Sequence, residues 1–301
     1  MVQQAEIVVA SRPADSAGSA KAAAVRRKQS PSAASRTARR LAGIPSSSAA
    51  TTGRGLQLLV DVLRHIVSDT ITLKLPVGEA IIQAWLLFKV TALPALLMAI
   101  PFGALVTVVT SGLVNQLGAT SLLGAASGVG VIRQGAPITA GLLMGGAAAS
   151  AIASDFGSRQ IREELDAMRV LGIDPARRLV VPRFLALVAI APVLGILIML
   201  AGTATAFIMS VNFTEVTPGS FWLSFGSFAK MVDVYFALGK TVVFAVIVVI
   251  ISSLRGMEAK GGPRGVADAV NSSVVLNVVC IVFANLAITQ LQTMFFPMEV
   301  A

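Results

Sequence analysis

VTALPALLMAIPFGALVTVVTSGLVNQLGATSLLGAASGVGVI, residues 90–132, runs for 43 positions without a charged side chain. A helix needs only about 20 such residues to cross a hydrocarbon core, so the stretch holds one span, a turn and the start of a second. Asn115-Gln116-Leu117-Gly118 is the polar break, which places the first span at about 91–114. The next apolar stretch, 121–154, is too long for one straight crossing and contains Arg133, Gly135 and Pro137, so a broken or kinked helix is expected there. Working outward, 184–214 is an uncharged third span, and a fourth and fifth follow at about 235–254 and 269–296. Pro218, Trp222 and several Phe in 215–233 suit a short helix at the membrane surface.

The composition agrees with this reading. The chain has 301 residues, 55% of them hydrophobic and 13% charged, and a mean hydropathy of +0.81, values that exclude an ordinary soluble protein. The net charge of +9 does not indicate nucleic acid, because the basic residues lie between apolar spans and form no stripe interleaved with aromatics. Cys280 and His65 are each the sole residue of their type, so an internal disulfide, a metal site and a nucleophile–His–acid constellation are not expected.

Residues 1–53, rich in Ala, Ser, Arg and Lys, read as a disordered basic tail. Arg39-Arg40 resembles a twin-arginine signal, but Pro45 and three Ser stand where its apolar region should be. An organellar transit peptide is the alternative, and would place the protein in an organellar inner envelope. From Arg54, Leu56, Leu59, Val60, Leu63 and Val67 fall on one side of a helix and Gln57, Asp61, Arg64 and Ser68 on the other. This amphipathic helix could lie in the membrane interface or pack on the protein. The membrane domain is taken as 54–296, with 297–301 as a C-terminal tail.

Orientation follows from Lys and Arg. With the N-terminus cytoplasmic, twenty-one of them fall on that side, leaving Arg133, Lys230 and Lys240 for the other. Setting the long tail aside, the loops still divide nine to three, and the positive-inside rule then favours a cytoplasmic N-terminus. Lys240, near one end of its span, is expected to snorkel.

EELDAMRVLGIDPARRLVVPR, residues 163–183, sets eight charged side chains between the second and third spans. Ile161, Leu165, Met168 and Leu171 share one face, and Arg159 with Glu163 and Arg162 with Asp166 are spaced for i, i+4 pairs. Ser158 is expected to cap the helix, Gly172 to end it and Pro175 to block its continuation. Such a helix suits a permease that docks on a separate motor, and equally a solvated connection.

This run resembles the signature of the MlaE/YrbE permeases, membrane subunits of ABC transporters that move lipids with MCE-domain proteins. GGPRGVADAV, residues 261–270, resembles the second motif of that family ahead of the last span, and with the basic tail is most similar to the YrbE subunits of actinobacterial Mce systems. The resemblance implies an all-α membrane fold of five spans after an interfacial helix, with a cytoplasmic coupling helix. By matching position, Glu163, Ala167, Met168, Gly172, Asp174 and Pro175 would form the coupling element, and Gly261, Gly262, Pro263 and Gly265 the second motif. It also implies ABC ATPase subunits holding ATP and Mg, a second YrbE-type permease chain, a hexamer of MCE-domain proteins, a lipid substrate and residence in the inner (plasma) membrane. No cofactor is expected on this chain. It departs from many relatives in carrying Arg133-Gln134-Gly135-Ala136-Pro137 and Gly145-Gly146-Ala147 in the second span, where an acidic residue and an Arg are expected.

Gly239-Lys240-Thr241 resembles the end of a P-loop, but Val234 stands where its first Gly belongs, so ATP must be bound elsewhere. Arg133, Gln134, Asn277, Asn285, Thr289 and Gln292 are candidates for the lipid path or for helix interfaces. Ser273 with the last four forms a polar stripe that should face protein or a wet cavity rather than acyl chains. The rival functions are an ion-coupled secondary carrier, which needs buried ionisable groups, and a non-transporting scaffold.

Overall fold

The computed structural model describes residues 53–66, 77–214 and 216–295. The expectations for the basic tail, for Val67 and Ser68, and for the residues after 295 lie outside the described residues. Helix α1 covers residues 53–66. Val62 is fully buried, with Leu58, Leu59 and Ile66 packed beside it, while Leu56, Val60 and Leu63 are exposed. The expected apolar stripe therefore divides into two adjacent rows, one against protein and one facing outward. A helix wedged between protein and acyl chains has this double apolar character.

Helix α2, Val77–Gln116, is continuous for 40 residues despite Pro94 and Pro101. At 1.5 Å per residue it measures about 60 Å, twice a hydrocarbon core. The expected span at 91–114 is thus its upper part, and Glu79 to Lys89 is its lower end. Ala80, Leu87, Thr91, Ala95, Ala99, Gly103 and Thr107 form one buried stripe. The hydroxyls of Thr91 and Thr107 donate to the carbonyls of Leu87 and Gly103, at 2.8 and 2.9 Å, so the stripe buries no orphaned donor.

The second crossing starts with a 3₁₀ turn, Thr120–Leu122, and continues through α3, Leu123–Gly130; α4, Ala136–Leu143; and α5, Ala149–Ile161. π turns at Val131–Gly135 and Met144–Ala148 join these helices. The expected break is therefore two wide turns in an unbroken helical path, and Pro137 sits just beyond the first, where the widened turn accommodates its ring. Gly141, Gly145 and Ala149, spaced four residues apart, form a seam of small residues that lets this crossing pack closely. A Cβ on Gly141 would come within 2.8 Å of Ile281 and Phe244, and one on Gly145 within 2.9 Å of Ile281.

There follow α6, Glu164–Val170; a π turn, Ala176–Val180; α7, Val181–Phe213; α8, Pro218–Phe228; α9, Met231–Met257; and α10, Pro263–Phe295. Thr217 caps α8 by accepting from the Ser220 N–H at 3.4 Å. Among the described residues, five helical stretches, beginning at Val77, Thr120, Ala176, Met231 and Pro263, are long and apolar enough to cross a membrane. Helix α9 is the hub, packed on α5, α7 and α10. Helices α2 and α7 lie together so closely that a Cβ on Gly103 would stand 2.5 Å from the Gly202 carbonyl oxygen.

Because the crossings alternate in direction, α1, α6 and the turn before α10 share one end, and the Leu117–Ala119 turn, α8 and the end of α10 share the other. The first is called here the loop end and the second the far end.

Candidate functional site

At the loop end the charged stretch folds differently from its expected caps. Ser158 lies inside α5, which runs on to Ile161. The break comes at Glu163, whose backbone is left-handed with φ +59°, the one non-glycine residue at positive φ among the described residues. The short helix α6 then starts at Glu164. The expected i, i+4 pairs are replaced accordingly. Arg159 bonds Asp155 at 3.1 Å and reaches Glu164 at 3.5 Å across the break, Arg162 meets Glu164 at 3.0 Å, and Arg169 meets Asp166 at 2.7 Å.

Gly172 does end the helix. At φ +74° it allows its own N–H to reach the Arg169 carbonyl and the Ile173 N–H to reach that of Met168, a Schellman close. Asp174 then accepts the Ala176 N–H at 3.0 Å and so caps the chain entering α7, with Pro175 buried beside it. Of the expected apolar face, Leu165 is buried and Met168 partly so, but Ile161 and Leu171 are exposed. Val170 and Leu171 stand 88% and 74% exposed at the tip. Ala167 is also on the exposed side.

Behind this helix, Arg183 of α7 is buried against the Asp155 carboxylate and stacks over the Phe156 ring at 4.3 Å. This link between α5 and α7 was not expected from sequence. In the second motif, Gly261 and Gly262 turn the chain at φ +83° and +76°, Pro263 starts α10, and Gly265 lies against the Lys260 carbonyl where no Cβ would fit.

At the far end a cavity of about 500 Å³ opens between α2, α3, α8 and α10. Val114, Leu117, Leu122, Val129 and Phe228 make its walls apolar, and Arg133, Gln134, Thr289 and Gln292 supply its polar side. The first π turn carries Arg133 and Gln134 to this position. Arg133 pairs with Asp233 at 2.7 Å, and Asp233 also accepts from the Gln292 amide at 3.0 Å. Gln134 accepts from Asn285 and donates to Thr289, both at 3.1 Å.

Lys240 does not snorkel. Its side chain is fully buried and its ammonium donates to the Arg133 carbonyl at 3.0 Å and to Thr289 at 2.9 Å. Gly239 and Thr241 lie in the same unbroken helix, so their backbone N–H groups serve α9 rather than a phosphate.

Five of the six candidate residues therefore meet here. Asn277 stands apart, about two turns away, bonded to Ser252 and Ser273 between α9 and α10. The polar stripe of α10 thus joins helices along its length, and its Thr289–Gln292 part also faces the cavity. Asp233 escaped the sequence reading because it follows Lys230 near a span end. The available signal was its seven-residue separation from Lys240, which puts both on one face of α9.

A model of the family described as Permease MlaE matches residues 80–291. A probable ABC transporter permease protein of Synechocystis sp. is 32% identical over 168 residues, 56% of this chain and 64% of that protein. The intermembrane phospholipid transport system permease protein MlaE of Haemophilus influenzae is 31% identical over 158 residues, 52% of this chain and 60% of its own. The chloroplastic protein TRIGALACTOSYLDIACYLGLYCEROL 1 of Arabidopsis thaliana is 27% identical over 175 residues, 58% of this chain and 50% of its own. The matched region thus spans between half and two thirds of these relatives.

Proposed function

The chain belongs to the MlaE permease family, and from that premise we propose that it is the permease subunit of an ABC transporter moving lipid or another hydrophobic substrate across a cell envelope. The observation that carries this reading is the tip of α6. Val170 and Leu171 project from a charged helix whose opposite side is anchored by fully buried Leu165. Two large apolar side chains held in water by a capped helix suit insertion into a groove of another protein.

In this proposal an ATPase subunit, holding ATP and Mg, receives α6. Its closure moves α6, and the movement reaches α5 through Arg159–Glu164 and α7 through the Asp174 cap. At the far end the apolar walls take acyl chain, while Arg133 on the polar side, with Asp233 and Lys240 buried behind it, leaves a net positive charge suited to an anionic headgroup. The exposed apolar faces of α2 and α10 leave room for a second permease chain. The likeness of the second motif to YrbE proteins supports MCE-domain partners and import. Placing the basic loop end in the cytoplasm, with the protein in the inner (plasma) membrane, accords with the positive-inside rule.

Leu171→Asp tests the docking step. The variant is expected to keep its fold and its thermal midpoint in detergent but to lose ATPase on affinity purification and to stop transporting lipid. Undiminished ATPase recovery with normal transport would overturn the reading. The secondary-carrier alternative gains one observation, the group formed by cavity-lining Arg133 with buried Asp233 and Lys240. Proteoliposomes separate the two, since the carrier would run on an ion gradient without nucleotide.

A further inference from the structure

Helix α1 is held at both of its ends by polar side-chain contacts to two different loops. Near its start, Arg54 Nε meets Glu258 Oε1 at 2.8 Å. Near its end, His65 Nε2 meets Asp174 Oδ2 at 3.0 Å. The two contacts are eleven residues apart, about 16 Å along the helix. Between them Val62 is fully buried among Leu58, Leu59 and Ile66, and Gly55 lies against Leu254.

The loops concerned are the two that border the moving parts of the proposed cycle. Glu258 closes α9 three residues before the Gly261 turn, and Asp174 joins α6 to α7. The Asp174 carboxylate is shared: one oxygen meets His65 and the other caps the Ala176 N–H. A displacement of His65 therefore acts on the same group that starts the third crossing. Both contacts are part-exposed, so they are weak beside the apolar stripe and can exchange with water. Buried Val62 fixes where α1 lies, and the ends set its register against the loops.

We propose that α1 is a positioning strap for the ATPase-docking segment: it holds the Asp174 loop and the Glu258 turn at fixed spacing, with His65 as the residue that sets the resting position of α6. This rests on the reading that α6 docks an ATPase.

The test uses the full complex purified with its ATPase, reconstituted in vesicles of the native lipid extract. His65→Ala and His65→Gln are compared for ATP hydrolysed per lipid moved, and Leu171→Asp serves as the docking control. His65→Ala is expected to retain ATPase on purification and its thermal midpoint, but to spend several-fold more ATP per lipid. His65→Gln, which can still donate to Asp174, should restore the ratio. A ratio for His65→Ala equal to that of the parent would overturn the strap. So would a His65→Gln ratio no better than that of His65→Ala. Loss of the docking reading shows separately, as ATPase retained by Leu171→Asp. If His65→Ala will not fold, Arg54→Glu paired with Glu258→Arg tests the other end: the double variant should recover the coupling that each single variant loses, and failure to recover it would count against the strap.

Discussion

Arg133 and Asp233 meet at 2.7 Å, and so do Arg169 and Asp166. The first pair has side chains 15% and 3% exposed and the second 55% and 54%. The far-end pair was taken from water and is held by Gln292 and a neighbouring Lys240, so each member depends on the others. The loop-end pair remains hydrated and shapes the surface of α6 without supporting the fold. The same two residue types thus build a fixed floor at one end and a replaceable exterior at the other.

The hardest way to break this contrast is Asp233→Ala, which leaves the Arg133 guanidinium and the Gln292 amide without their acceptor. A loss of about 3–5 kcal/mol is expected, seen as a lower thermal midpoint in detergent. Unchanged stability would mean that the far-end charges are not structural. Lys240→Met keeps the stem but takes the side-chain donor from the Arg133 carbonyl and leaves Thr289 with Gln134 as its donor, for an expected loss of about 1–3 kcal/mol in the same assay.

At the loop end, Glu163→Gly should leave stability unchanged or raise it by about 1 kcal/mol, because glycine occupies the left-handed region without the strain of a Cβ. A clear loss would show that the Glu163 side chain itself holds the break. Arg169→Ala should cost less than about 1 kcal/mol, a difference that shrinks further in high salt.

The same contrast explains what could be read in the sequence. Hydropathy alone placed the centres of all five crossings, because an uncharged stretch longer than the membrane leaves no other fold. It misplaced their ends, since Glu79 and Lys89 are good helix formers and mark where water begins, not where α2 begins. Gly172 was legible because a positive-φ helix close has few alternatives. The Ser158 cap was not, because nothing obliged α5 to stop there and an acidic residue took the left-handed position glycine usually fills. Candidate residues on α10 were visible as a stripe. Their partners Asp233 and Lys240 belong to another helix, and only packing reveals that the span-end charges on α9 turn inward.

The two π turns of the second crossing affect how its length can vary. Each holds one residue more than the α turn it replaces, and one residue is about 100° of rotation. Between Gly130 and Ala149 the crossing is therefore out of phase with a uniform helix by roughly 200°, the equivalent of two single-residue insertions. A deletion within 131–135 could close the turn to ordinary α geometry without breaking the chain. It would also swing Leu123 to Gly130 around the axis, away from α8, and carry Arg133 off Asp233. In this part of the molecule the number of residues acts as a gear setting, and changing it by one turns one end of the crossing against the other.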